Sequence, residues 1–175
     1  MEAKYERQKT ESASFRLDSS MLEKLRHDAD SKSISLNVLV NQILANYTQW
    51  DMTATGAGWM VIPKDALKSM INRLDEKDVI KIGKDTADYT KDIRLLMTNA
   101  DTLDGFLSIL KNRSIRSGFQ IRETNNNGIK KIIIQHDMGT NWSLYTKSLY
   151  EEVIRQFGAS ATIEYTQNTL IVEIK

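Results

Sequence analysis

The first fifty residues combine one short alternating stretch with two short helical patterns, and this combination constrains the fold more than any other feature. Residues 12–17 alternate between apolar and polar side chains, which predicts a strand. Residues 21–29 and 36–47 repeat apolar side chains at helical spacing. So small a unit covers too little of its own surface to bury three apolar faces. It therefore needs a partner, and the simplest is a second copy: an intertwined homodimer in which two strands pair antiparallel and four helices share one core.

Individual residues indicate where the two helices begin and which side chains share a face of the strand. Asp18 is placed to cap the first helix and Ser35 the second. The second helix has the strongest periodic pattern in the chain, with Leu36, Leu39, Val40, Ile43, Leu44 and Tyr47. On the strand, one face carries Ala13, Phe15 and Leu17, and the other carries Ser12, Ser14 and Arg16. Pairing two such strands leaves the second face exposed as a ribbon, which fits the major groove of DNA.

This part of the chain resembles a known family of DNA-binding proteins. The residues that carry the resemblance are 12–17, Leu22, Leu25, Ser35 and the run 39–47. Over residues 12–50 they resemble the ribbon-helix-helix family of repressors and antitoxins. The resemblance implies base contacts from the outward strand residues Ser12, Ser14 and Arg16. Arg16 is the natural reader of guanine, because its guanidinium can donate two hydrogen bonds to O6 and N7.

The resemblance also implies contacts to the phosphate backbone at the start of the second helix. They carry over to Ser35 and to the backbone amides of Leu36 and Asn37. The physics agrees, because free N–H groups and the helix dipole favour an anion at that end. Family members usually have glycine in the turn between the helices, where this chain has Ser33. That departure leaves the shape of the turn open.

Charge adds little to the expected DNA affinity. The whole chain has a net charge of +1, and residues 1–50 carry seven Lys or Arg against seven Asp or Glu. Further attraction to phosphate depends on cations such as Lys9 and Lys32 converging on the duplex. Without them, affinity would be weak and strongly salt-dependent.

A linker is predicted at residues 51–58, which are small and polar and include two glycines. Beyond it, the pattern predicts helices after Pro63, with an unclear boundary around Gly83, and then two hairpins separated by a helix. The Asn-rich cluster at residues 125–128 can supply the positive φ angles of the first hairpin turn. Residues 59–175 are therefore predicted to form an α+β domain whose four-stranded antiparallel sheet, in the order ββαββ, is covered by helices.

A second candidate site lies between the first hairpin and the helix that follows. His136, Gly139, Asn141 and Trp142 occupy this junction, where a sharp turn and a helix N-terminus favour an anion or effector. The alternative is a partly buried His136 bonded to a backbone group. The junction and its hairpin also resemble uncharacterised archaeal proteins in which a ribbon-helix-helix module precedes an α+β domain. That resemblance implies an archaeal-type cytoplasmic setting.

Composition excludes several kinds of chemistry. The chain has no Cys and only two His, so neither a thiolate metal site nor a histidine cage is encoded. No nucleophile elbow, zincin motif or complete phosphate loop occurs. We expect no catalytic residues, no metal ion and no cofactor. The longest apolar run is residues 59–62, and no signal peptide is found, so a cytoplasmic protein without a membrane partner is expected.

The sequence favours a homodimeric, sequence-specific transcriptional regulator in which residues 1–50 bind DNA. Residues 59–175 would sense an unknown small-molecule or protein effector, or assemble further oligomers. Two alternatives stay open. One is an antitoxin that binds both its promoter and a toxin. The other is a chromatin-like architectural protein that uses the basic residues between 111 and 131 on DNA.

Overall fold

The structure is a computed structural model, and it describes residues 10–126 and 128–175. The chain divides into two compact units, Met1–Tyr47 and Thr48–Lys175. Lys9, which was expected to approach a phosphate, lies outside the described residues.

Two capped helices occupy most of the described part of the first unit: α1, Ser19–Ser31, and α2, Leu36–Asn46. The Asp18 carboxylate accepts the N–H groups of Ser20 at 2.9 Å and Met21 at 3.3 Å. The Ser35 hydroxyl accepts the N–H of Val38 at 3.2 Å. Both caps lie where the sequence predicts them, because each oxygen satisfies an amide that has no acceptor within its helix.

The turn between the two helices has a left-handed backbone at Ser33, with φ of 54°. The N–H of Ile34 donates to the carbonyl of Ala29 at 3.0 Å, and the N–H of Ser33 donates to that of Asp30 at 3.0 Å. This pair of bonds defines a Schellman motif, in which glycine usually takes the left-handed position. The turn therefore has the glycine-type shape although it carries a serine.

The strand predicted at residues 12–17 is not formed in the single chain. Residues 10–18 have no regular secondary structure and all are exposed. The first strand in chain order, β1, comes only after the helices, so the structure does not show a ribbon-helix-helix unit. A strand exists through hydrogen bonds to a neighbouring strand, and no described residue of the same chain pairs with this segment.

The first unit leaves much of its apolar surface uncovered. Ala29 and Leu39 are buried, but the apolar stripe on α2 opens to solvent towards its end, where Ile43 is 44% exposed. Tyr47, in the turn that follows, is 53% exposed. Ahead of α1, Phe15 is 70% exposed. The single chain thus buries only part of the three apolar faces that the sequence encodes.

The second unit is a mixed helix and sheet structure, as predicted. A π-helical turn at Tyr47–Asp51 leads into it. Its helices are α3, Met52–Ala54; α4, Lys64–Ile71; α5, Glu76–Thr98; α6, Leu103–Arg116; and α7, Thr140–Gln156. Its strands are β1, Gln120–Asn126; β2, Ile129–Gln135; β3, Ala161–Tyr165; and β4, Thr169–Ile174.

The four strands form one antiparallel sheet in the order β1-β2-β4-β3, which confirms the predicted ββαββ arrangement. Ile132 lies opposite Val172 across β2 and β4, and Ile163 lies opposite Val172 across β3 and β4. These side chains face a core supplied by α5, α6 and α7. The sheet thus has one covered and one more exposed face, the usual state of an antiparallel sheet in an α+β domain.

The long helix α5 runs without interruption through Gly83, where the sequence left a boundary open. A Cβ atom at Gly83 would lie 2.7 Å from the carbonyl oxygen of Tyr145 and 2.8 Å from the Cβ of Ser148. Both atoms belong to α7. The glycine therefore marks a close approach of two helices and not a helix end.

The segment predicted as a linker, residues 51–58, is partly helical and partly buried. It contains α3, and Ala54 lies with Trp50 and Ile109 in a small apolar cluster within the second unit. The boundary between the units falls earlier, after Tyr47. Small residues are compatible with tight helical turns as well as with loops. Here the segment forms helix α3, because Ala54 packs against the buried indole of Trp50.

Among the described residues, no helix combines the length and the apolar character needed to cross a membrane.

Candidate functional site

The residues predicted to contact bases lie on an exposed segment. Ser12, Ser14 and Arg16 are all exposed. Within the described part of the chain, none of their side chains forms a hydrogen bond or ion pair. At alternate positions, they would share one face if this segment became a strand. The single chain does not impose that conformation, so these three side chains do not converge in it.

The residues predicted to contact phosphate lie at the start of α2. Ser35 is the cap, and the amides of Leu36 and Asn37 belong to the first turn, where N–H groups have no acceptor within the helix. Lys32 lies just ahead of this end, and its Nζ is 2.7 Å from the carboxylate of Asp28. Both partners of that pair are about half exposed, so the ammonium stays accessible.

His136, the centre of the second predicted site, is buried and bonded internally. Its exposed fraction is 8%. Nε2 is 2.9 Å from the hydroxyl oxygen of Ser143, and Nδ1 accepts the N–H of Met138 at 3.2 Å. Burial lowers the pKa of His136 to about 4, although the nearby Asp137 carboxylate favours the charged form. At neutral pH the ring is therefore uncharged, and its two nitrogens serve the local structure.

Gly139 and Asn141 also take part in internal contacts. The N–H of Gly139 donates to Oδ1 of Asn168 at 3.1 Å, and φ of 93° places the glycine where other residues are strained. The amide of Asn141 donates to the carbonyls of Ile71 and Leu74, both at 2.9 Å. These bonds fasten the start of α7 to the end of α4. The His136 ring, the N–H of Gly139 and the side-chain amide of Asn141 thus each form hydrogen bonds within the protein.

Trp142 is the fourth residue of that predicted site. Its ring borders an open cleft of the second unit. Beside it lies Arg113, whose guanidinium carbon is 5.7 Å from the centre of the Trp142 ring. Sequence reasoning placed Arg113 only in a general basic region. A signal that could have identified Arg113 is its place on α6 next to the buried face of the helix. Ile109, one turn earlier, and Ser114, the next residue, are both buried.

The basic region between residues 111 and 131 is largely paired with carboxylates. Lys111 lies 2.9 Å from Glu123, Lys131 lies 2.7 Å from Glu173, and Lys130 lies 3.5 Å from Asp104. Each pair lowers the local positive potential that a DNA phosphate would meet.

Among the described residues, no three His, Asp or Glu side chains are grouped so that they could hold a metal ion. The chain was compared with protein-family models, with curated proteins and with solved structures, and none of the three comparisons gave a match.

Proposed function

We propose that this protein is a sequence-specific DNA-binding transcriptional regulator that acts as a homodimer through a ribbon-helix-helix unit. The observation that carries the proposal is the first unit itself. It has an exposed segment with alternating side chains, two capped helices and a glycine-type turn, and it leaves apolar side chains in water.

Dimerisation follows from that exposed apolar surface. Phe15, Ile43 and Tyr47 lie on different elements, and each is at least 44% exposed. Complete burial of a large apolar side chain gives roughly 1.5–3 kcal/mol, so covering this surface favours association. A second copy offers the same surface in return, so residues 12–17 of two chains can pair as antiparallel strands over the four helices. The strand missing from the single chain is then formed between chains.

The paired strands would present Ser12, Ser14 and Arg16 of both chains on one ribbon. A two-stranded ribbon fits the major groove, and the Arg16 guanidinium matches the acceptor pair of guanine. At each end of the ribbon, Ser35 and the first-turn amides of α2 would receive a phosphate. In such an interface, the base contacts of the ribbon would give sequence specificity. The phosphate contacts at the helix ends would fix the position of the protein on the duplex.

Arg16→Ala tests the proposal. Fragments of genomic DNA are first selected for binding to the wild-type protein, and affinity is then measured on a selected fragment and on random duplex. We expect Arg16→Ala to weaken binding to the selected fragment by about 1–3 kcal/mol and to relax preference at one base pair in each half-site. Arg26→Ala, an exposed arginine on α1, is the matched control and should keep that preference.

Two results would contradict this function. Fragments that bind no better than random duplex would remove sequence-specific recognition. Equal losses on selected and random DNA in Arg16→Ala would make this residue a phosphate contact and not a base reader.

A further inference from the structure

A cleft of about 920 Å³ opens on the second unit between the segment at residues 58–62 and helices α4, α6 and α7. Its lining is mainly apolar and aromatic. All three tryptophans of the chain, Trp50, Trp59 and Trp142, contribute to it. A volume of this order and a lining of this kind are typical of sites for small organic ligands.

The charges in the cleft do not cancel. Three cations and one carboxylate line it: Lys64, Arg113, Arg116 and Asp51. The guanidinium of Arg116 lies 2.8 Å from Asp51, and Lys64 lies 3.0 Å from Asp137 just outside the lining. Arg113 forms no ion pair with a carboxylate of any described residue.

Aromatic rings hold Arg113 in place without neutralising it. Its guanidinium carbon lies 5.9 Å from the centre of the Trp59 ring and 5.7 Å from that of Trp142. One Nη donates to the hydroxyl of Tyr150 at 3.2 Å. Burial raises the pKa of Tyr150, so this hydroxyl stays protonated and supplies no negative charge. A half-buried guanidinium with free donors therefore faces an aromatic cleft.

We propose that this cleft is a binding site for a small organic anion with a flat, apolar body, whose carboxylate or similar group is held by Arg113. The guanidinium supplies paired donors for the anionic group, and the indole rings and apolar side chains of α4 cover the body of the ligand. Of the residues predicted as an effector site, His136, Gly139 and Asn141 form internal hydrogen bonds, whereas Arg113 lines the cleft and pairs with no carboxylate of a described residue. This inference concerns ligand binding alone and stands whether or not the protein binds DNA.

The test uses the full chain and a matched pair of probes. 2-Naphthoate has the flat apolar body and the negative charge, and 2-naphthamide has the same shape without the charge. Binding is followed by tryptophan fluorescence and by the NMR signals of the indole N–H groups. Both readouts report on the cleft directly, because every tryptophan of the chain lines it. We expect saturable binding of the naphthoate and about tenfold or more weaker binding of the amide.

Three variants locate the anion contact. Arg113→Met should reduce the preference for naphthoate over naphthamide to about one. Arg122→Met removes an exposed guanidinium from β1, outside the cleft, and should keep the preference. Met70→Glu places a carboxylate at the cleft, at a side chain that is already 58% exposed and so tolerates the change. It should weaken naphthoate and leave the amide unaffected, which keeps the test decisive if Arg113→Met does not fold.

The proposal is wrong if naphthoate shows no saturable binding, or if wild-type protein binds naphthoate and naphthamide equally. It is also wrong if Arg122→Met loses the preference as Arg113→Met does, or if Met70→Glu binds naphthoate like wild type. In each case the Arg113 cleft would not be where an anion is recognised.

Discussion

At the scale of single residues, backbone geometry and burial decide what a side chain does. Ser33 takes the left-handed conformation at a cost of roughly 1 kcal/mol, because two backbone bonds of the helix end require it. His136 is a second case. A histidine between a strand and a helix suggests a ligand or a sensor, but its two ring nitrogens are engaged with Ser143 and Met138.

We predict that His136 makes the second unit sensitive to acid. The pKa of His136 is about 4 in the folded protein and 6.5 in its unperturbed state. Between these values the unfolded chain binds the proton and the folded chain does not, so stability falls as pH drops from about 6.5 to about 4. The expected loss is about 2–3 kcal/mol. Urea unfolding at a series of pH values, followed by tryptophan fluorescence, measures it.

Two variants isolate this effect from other titrating groups, including Asp137. His136→Gln should flatten the slope between pH 6.5 and 4. His27→Gln, at the exposed histidine of α1, should leave the slope unchanged. An unaltered slope in His136→Gln would show that the acid response arises elsewhere.

At the scale of elements, periodicity and capping residues were enough to predict most of the structure. Helix α2, with its Ser35 cap, and both hairpins lie close to their predicted positions, because each carries a strong local pattern. What the sequence could not supply is the effect of neighbours. Gly83 looks like a helix boundary until α7 is seen against it, and residues 51–58 look like a linker until Ala54 and Trp50 are seen to pack.

The same limit applies to the candidate site. Alternation in residues 12–17 identifies which side chains would share a face, but no local pattern shows the chain that must pair with them. Arg113 was missed as a binding residue because the rings around it come from distant positions, Trp59 and Trp142. Contacts of that kind are set by the tertiary fold.

We predict that Gly83→Ala destabilises the second unit, although alanine favours helix more than glycine does by about 1 kcal/mol. The added methyl group would lie 2.7 Å from a backbone oxygen of α7, which cannot move aside as a flexible side chain can. Overpacking of this kind costs about 1–3 kcal/mol. Urea unfolding monitored by tryptophan fluorescence gives the change.

Gly56→Ala is the matched control for that substitution. A Cβ atom there would lie 3.6 Å or more from its neighbours, at ordinary contact distance. We expect a change within about 0.5 kcal/mol. If Gly83→Ala were as stable as wild type, the helices would have to separate at little cost, and the close approach would not be a constraint.

At the scale of the whole molecule, the two units present different kinds of surface. The second unit buries an apolar core against its sheet. Most of the basic side chains between residues 111 and 131 form ion pairs with carboxylates. The first unit buries few apolar side chains, and it has no disulfide to compensate, since the chain contains no cysteine. The proposed assembly with a second chain would supply the stability that a unit of this size lacks alone.

We predict that Ile43→Glu in the full chain shifts the protein from twice its 20.0 kDa mass towards the single-chain mass at micromolar concentration. A charge on the uncovered part of the α2 stripe would have to be buried in the dimer, at high cost. Gln42→Glu adds the same charge one residue away, at an exposed polar position, and should stay dimeric. Light scattering after size separation measures both. A dimeric Ile43→Glu would place the contact between chains elsewhere.

We also predict that replacing Lys130 and Lys131 with glutamine leaves the salt dependence of DNA binding unchanged, because both lysines belong to the second unit and not to the proposed DNA-binding residues. Lys32→Gln should instead reduce the log–log salt slope by about 0.9, the value for one phosphate contact. A shallower slope in the double variant, with folding intact, would favour an architectural protein that uses this region on DNA.

The strand order β1-β2-β4-β3 has a consequence for folding during synthesis on the ribosome. β4 is last of the four strands in chain order but lies inside the sheet, between β2 and β3. The sheet therefore cannot close until Thr169–Ile174 has been synthesised. At about 5–20 residues per second, α1 and α2 leave the ribosome on the order of ten seconds earlier. If the first units pair as proposed, two nascent chains on one messenger would join during that interval, before either sheet exists, and partner choice would precede completion of the fold.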